Sequence, residues 1–263
     1  MTIEMHVVDA FTDELFKGNA AAVVMTDEWL DDDLMLSIAA ENNLSETAFL
    51  KPVQNYHYQI RWFSPLTEID FCGHATMASA FVVFLKNDEL TEVTFSAPAV
   101  GELTVTRQAD GMINMSFPNR KPQAVAEIPE VLVKGLSKKP SAVLRSQQAY
   151  FAIYDDEASV RELEYDSEQL KLLAPYDVVV SAPGREFDFV SRYFWPANGG
   201  EEDPVTGSIH AGLAPYWAEQ MNKSEFKAYQ ASKRGGVVYC RLVGDRVHVS
   251  GKAVLYLQGQ ISI

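Results

Sequence analysis

Cys72-Gly73-His74-Ala75-Thr76-Met77-Ala78-Ser79-Ala80 is answered 134 residues later by Thr206-Gly207-Ser208-Ile209-His210-Ala211-Gly212-Leu213-Ala214. Working outward, Phe63-Ser64-Pro65 with Arg61 finds its echo in Phe194-Trp195-Pro196 with Arg192 at an offset of 131. Further on, Phe95, Ala97, Gly101, Arg107, Ile113 and Met115 fall on Tyr229, Ala231, Gly235, Arg241, Val247 and Val249. The second half is a diverged copy of the first. Two copies are too few for a solenoid, which stacks three or more units into a continuous core. The chain therefore reads as an α+β protein of two pseudo-symmetric domains, residues 1–118 and 124–263, joined through Asn119-Arg120-Lys121-Pro122-Gln123. The last strand is free to cross over. A cleft between such domains is a favoured ligand site, so matched positions are expected to face one substrate from two sides.

The stretch Ala75 to Leu85 is helical in length but small or apolar on nearly every side. Such a helix must be buried all round. A curved, mostly antiparallel sheet or barrel wrapped around a central helix satisfies that requirement in each domain. Ser208 to Gln220 is the twin helix, and Pro215 inside it is expected to kink or break it. Strands are expected at Met5–Ala10, Ala20–Met25, Glu46–Leu50, His57–Phe63 and Glu92–Phe95, with a hairpin turned at Asp110-Gly111. The second half repeats the order, with a helix at Asp166–Ala174 and a closing hairpin turned at Gly244-Asp245.

A net charge of −14 argues against nucleic acid, because phosphate neutralisation needs clustered Lys and Arg. Cys72 and Cys240 are too few for a disulfide scaffold and lack metal-ligand spacing. The start of the chain shows no basic, cleavable leader, and the longest apolar run, Ala80 to Leu85, is far short of a membrane span. These features give a cytoplasmic, reduced reading with no membrane partner.

Both central helices are expected to begin at a glycine, Gly73 and Gly207. Helix N-termini carry unpaired N–H groups and partial positive charge, so two of them form a ready carboxylate site. Thr76, Thr206 and Ser208 add hydroxyl donors. The structural alternative is that the glycines permit tight turns and the hydroxyls cap helices. Glu46, at the rim of a barrel strand, suits a general base; its alternative is a solvated strand-start residue, and its repeat partner is Asp177. His74 lies in a first helical turn, where charge is disfavoured, and reads as a neutral donor. No other histidine lies at fitting spacing, so no metal is expected. Asp203 precedes the second glycine turn in an acidic loop. Cys72 is matched by Thr206, which disfavours a racemase working through two thiols. A Gly-x-Ser-x-Gly elbow and a phosphate-binding glycine loop are both absent.

Several segments together resemble the PhzF-like family of phenazine biosynthesis. They are Val8-Asp9-Ala10-Phe11-Thr12, Gly18-Asn19-Ala20-Ala21-Ala22-Val23-Val24, Asn43-Leu44-Ser45-Glu46-Thr47-Ala48-Phe49 and Phe71-Cys72-Gly73-His74-Ala75-Thr76. Glu202-Asp203-Pro204-Val205-Thr206-Gly207-Ser208, Tyr229-Gln230-Ala231-Ser232-Lys233-Arg234-Gly235-Gly236 and Ser250-Gly251-Lys252-Ala253-Val254 complete the series. The resemblance implies a diaminopimelate epimerase-like fold and an isomerase without metal or organic cofactor. It implies that Glu46 moves a proton across an allylic system of a small, unsaturated, carboxylate-bearing substrate. By the same resemblance His74, Asp203 and Ser208 hold the substrate and assist, Gly73 and Gly207 donate backbone N–H groups to its carboxylate, and Asn19 lines the pocket. Cys72 is a candidate second acid, and a homodimer is implied. Two alternatives stay open: an amino-acid racemase or epimerase with Glu46 or Cys72 as a base, and a metabolite-binding protein without catalysis.

Overall fold

A computed structural model describes residues 2–263; Met1, with which the first expected domain begins, lies outside the described residues. The chain groups into two compact units, Met1–Ser116 with Ser250–Ile263, and Phe117–Val249. The C-terminal strand Ala253–Ser262 pairs antiparallel with Thr2–Ala10 and so belongs to the first unit.

Within the first unit the strand Asn19–Met25 runs antiparallel to Thr2–Ala10 and parallel to Glu46–Gln54. Glu46–Gln54 turns back on His57–Phe63, which lies parallel to Glu92–Ala97, and that strand pairs antiparallel with Gly101–Arg107. The second unit repeats these relations in order. Ala149–Ile153 is parallel to Asp177–Pro183, which is antiparallel to Phe189–Phe194. Phe189–Phe194 is parallel to Glu225–Gln230, which pairs antiparallel with Gly236–Val243. The registers also repeat at the sequence offsets: Thr47 faces Phe63 as Val178 faces Phe194, and Phe95 faces Leu103 as Tyr229 faces Val237.

In the first unit the helix Gly73–Lys86 buries eleven of its fourteen residues. It packs against Thr2–Ala10, Asn19–Met25, Glu46–Gln54, Gly101–Arg107 and Ala253–Ser262. Strands on several sides explain why its sequence lacks a polar stripe. The two hydroxyls it buries turn onto its own backbone: Thr76 donates to the Cys72 carbonyl at 2.6 Å and Ser79 to the Ala75 carbonyl at 2.7 Å. Neither is left unsatisfied in an apolar setting.

The corresponding helix of the second unit departs from expectation in two ways. It spans His210–Met221, beginning two residues after Ser208. Gly207 therefore opens a tight turn, with His210 N–H bonded to the Gly207 carbonyl at 3.1 Å and Ala211 N–H to Ser208 at 3.1 Å. The helix also continues through Pro215 without a break. Proline removes the N–H that would satisfy the carbonyl four residues back. That carbonyl, of Ala211, instead accepts from the Arg120 N–H at 3.0 Å, so a backbone segment outside the helix makes good the lost bond. Gly212 allows the helix to approach its sheet, since a Cβ there would lie 2.6 Å from Cζ of Phe151.

The helix expected at Asp166–Ala174 is shorter, Ser167–Lys171. Asp166 caps it by accepting from the N–H groups of Glu168 and Gln169. Pro175 disfavours helical backbone at the residue before it, and the chain leaves through turns at Leu172 and Leu173.

Candidate active site

In the first unit, four of the residues singled out from sequence come together. The helix Asp32–Asn42 ends at Asn43, a left-handed residue (φ 48°) whose N–H returns to the Ala39 carbonyl at 3.1 Å. Asparagine tolerates this conformation better than most residues. The reversal brings Glu46 in at the first position of its strand, 7% exposed. His74, the second residue of the central helix, is 5% exposed. Its Nε2 lies 3.0 Å from Glu46 Oε2. The approach lacks hydrogen-bond alignment, and this oxygen has no hydrogen-bond partner among the described residues. A buried carboxylate oxygen without an aligned partner calls for an explanation.

The other edge of the imidazole faces Asn19 Nδ2 at 3.1 Å and Cys72 Sγ at 3.3 Å from Nδ1. Asn19 is fully buried, and Ser45 donates to its Oδ1 at 3.4 Å. Burial works against a charge on His74, but the Cys72 and Glu46 side chains outweigh it and hold the imidazole well above its ordinary value. For Cys72, burial and then the Glu46 charge push the thiol up to about 11. A thiol held protonated is not an anion near neutrality, so Glu46 is the neighbour that favours the imidazolium there. Against the neutral histidine expected from the helix terminus stands a carboxylate at 3.0 Å, a closer and larger charge than the helix end, which favours the imidazolium. Cys72 has none of the lowered pKa of a nucleophilic cysteine.

Glu46, Cys72 and His74 each offer one ligand atom within 4.8 Å of one another, a donor set a divalent ion could use. Such an ion would have to displace the thiol proton and take His74 or Glu46 from its present partner.

In the second unit, the turn leading to the helix His210–Met221 is braced by Gln230, a residue that sequence reasoning quoted only as part of a motif. Gln230 is fully buried; its Oε1 accepts from the Thr206 N–H at 2.9 Å and its Nε2 donates to the Asp203 carbonyl at 2.9 Å. The Thr206 hydroxyl donates to Asp203 Oδ2. Asp203, Thr206 and Gly207 are thus held in one turn. Ser208 follows, its Oγ accepting from Gln148 Nε2 at 3.0 Å. Gln148, Tyr193 and Gln230 were not picked out from sequence; a glutamine in a turn, and a tyrosine and a glutamine in strands, carry no signal of a site. Among the described residues, no helix is long and apolar enough to cross a membrane.

The chain as a whole has known relatives. The chain is 43% identical, over the full length of both, to an uncharacterized isomerase of Pseudomonas aeruginosa. A crystal structure of a PhzF-family phenazine biosynthesis protein from Enterococcus faecalis superposes with a TM-score of 0.93 at 38% identity, covering all of both chains. A hydroxyproline epimerase from Agrobacterium vitis shares the fold alone, with a TM-score of 0.61 at 12% identity over 99% of this chain and 92% of that one. With residues 8–259 matching the family described as phenazine biosynthesis-like protein, the chain belongs to the PhzF family and is an isomerase.

Proposed function

We propose that this isomerase shifts a proton along a small, unsaturated, carboxylate-bearing metabolite, with Glu46 as the general acid and base. The observation that carries the reading is the buried Glu46 Oε2, 3.0 Å from His74 Nε2 and without an aligned partner. The carboxylate removes a proton from one carbon and returns it at another, so a double bond migrates and nothing is oxidised. His74, kept cationic by Glu46, stabilises the charge that develops and exchanges a proton with Glu46. Each unit offers donors of its own to a carboxylate: the Gly73 N–H in the first, and the Gly207 N–H with the Ser208 hydroxyl in the second, where Asp203 accepts from the Thr206 hydroxyl. Cys72 packs beside the ring as a thiol.

Incubation in D2O with a panel of unsaturated amino and hydroxy acids, followed by NMR, tests this. Deuterium entering a substrate with wild type and not with Glu46→Gln supports the mechanism. Equal labelling by both removes Glu46 from it. A second reading, inversion of an amino-acid centre, is favoured by the fold shared with the hydroxyproline epimerase. It predicts label at the α-carbon of an enantiopure substrate with no double-bond movement.

A further inference from the structure

We propose that Asp177, Tyr193 and Gln148 form a one-way hydrogen-bond chain that fixes the Ser208 hydroxyl as a donor, making Asp177 a positioning residue for a carboxylate bound at Ser208. The proposal rests on the carboxylate reading given above for Ser208.

The direction follows from donor and acceptor capacity. An ionised carboxylate only accepts. Tyr193 therefore spends its one hydrogen on Asp177 Oδ2, at 2.5 Å, while Asn198 Nδ2 donates to Oδ1 at 2.7 Å. Having no second hydrogen, Tyr193 Oη can only accept, and Gln148 Nε2 donates to it at 3.0 Å. This sets which way the Gln148 amide faces, since its oxygen would meet a phenol with no hydrogen left to give. The second Nε2 hydrogen goes to Ser208 Oγ at 3.0 Å. With its oxygen accepting, Ser208 keeps its own hydrogen for another acceptor. Burial and the adjacent Asp177 hold the Tyr193 phenol well above its ordinary value, so the chain keeps its hydrogen.

The repeat gives this chain a rationale. By strand register Asp177 answers Glu46 and Gln148 answers Ala20, and by the sequence offset Ser208 answers His74 and Tyr193 answers Trp62. In the first unit the carboxylate reaches the helix start directly. In the second, a shorter carboxylate acts through two intervening side chains. One end yields a proton-exchanging pair, the other a fixed donor.

The test combines 1H–15N NMR of the Gln148 side chain with titration of benzoate as a carboxylate probe. In wild type both Nε2 hydrogens are expected to exchange slowly. In Tyr193→Phe at least one is expected to exchange rapidly, with benzoate affinity about tenfold lower, as for one lost oriented hydrogen bond. Ser208→Ala is expected to lose a similar factor and the double variant no more, because both break the same chain. Asp177→Asn, which keeps an acceptor for the phenol, is expected to restore most of what Asp177→Ala loses. Rapid exchange of both hydrogens in wild type overturns the chain, whatever binds. Protected hydrogens with affinity reduced by Ser208→Ala but not by Tyr193→Phe overturn the positioning role and leave the carboxylate reading standing. Absence of benzoate binding by wild type, or affinity unmoved by Ser208→Ala, overturns that reading and the positioning role together, while Gln148 exchange still decides the chain.

Discussion

Glu46 and Asp177 hold the same register position in the two units: each begins a strand whose parallel neighbour presents an alanine opposite it, Ala21 for Glu46 and Ala149 for Asp177. One backbone framework carries two carboxylates of different reach. Glu46 comes within 3.0 Å of the imidazole of His74, whereas Asp177 meets the phenol of Tyr193. The longer side chain puts an unsatisfied oxygen beside a proton donor, and the shorter one is consumed by hydrogen bonds from Tyr193 and Asn198.

Glu46→Gln keeps the volume and removes the base. Turnover measured by deuterium incorporation is expected to fall about 10²–10⁴-fold, the usual contribution of a positioned acid–base group, with an unchanged thermal transition. Glu46→Asp shortens the side chain by one methylene and is expected to be impaired as well, since the approach to His74 is lost. Near-wild-type turnover in Glu46→Gln would exclude it as the base.

Cys72→Ser is expected to retain turnover to within about one order of magnitude. The thiol, pushed up to about 11 by burial and the Glu46 charge, stays protonated throughout the neutral range and does not act as a thiolate. A loss as deep as that of Glu46→Gln, in the same deuterium assay, would instead make Cys72 the second base.

Much of this architecture was legible in the chain because repetition is a global signal. Gly73 and the apolar helix behind it, and Arg61 with its echo Arg192, fixed the internal symmetry without reference to any single propensity. Local departures were less legible. Pro215 predicts a break by its own chemistry, and only the position of Arg120, remote in sequence, shows why the helix survives. The surroundings of His74 are hidden for a related reason: the helix terminus is visible in sequence, but a carboxylate 28 residues earlier in the chain is not visibly its neighbour. Gln148 and Tyr193 escaped because their role lies in which atom donates to which, a property of the folded network alone.

Arg61 and Arg192 repeat a bidentate pairing, to Glu68 and Glu202 respectively, and each guanidinium lies over a phenylalanine two residues on, at 5.2 Å from Phe63 and 5.1 Å from Phe194. Their environments differ. Arg192 also donates to the Leu163 carbonyl at 2.7 Å and the Val160 carbonyl at 3.3 Å, and its pair is the more buried. Arg61 spends its remaining donor on Asp32, at the surface. Arg192→Met is therefore expected to destabilise the protein by roughly 2–4 kcal/mol, leaving carbonyls and a carboxylate unpaired. Arg61→Met is expected to lose about 1 kcal/mol or less. Urea unfolding of the two variants compares them, and equal losses would contradict the role given to the backbone carbonyls.

His74 and His210 lie in the first turns of the two central helices and are expected to titrate in opposite directions. Burial lowers His210 to about 4, offset only in part by the Thr206 carbonyl, with which its Nδ1 makes a 2.9 Å contact. The imidazole that bonds to a carbonyl is the Nδ1–H tautomer, and its Nε2 has no partner among the described residues to stabilise a second proton. A depressed value means that neutral His210 contributes stability present above 6.5 and lost as pH falls through about 4, on the order of 3 kcal/mol. His74 is raised by Cys72 and Glu46 against its burial, so its contribution is fully present below 6.5 and is lost as pH rises through the elevated value. Histidine 15N shifts recorded from pH 3.5 to 9 are expected to show His210 neutral until the pH falls to about 4 and His74 still protonated at neutrality. His74→Asn is expected to flatten the alkaline limb of stability against pH and His210→Asn to leave it unchanged. A neutral His74 at pH 6 would mean that Glu46 does not govern its charge, and the proton exchange assigned to this pair would fail with it.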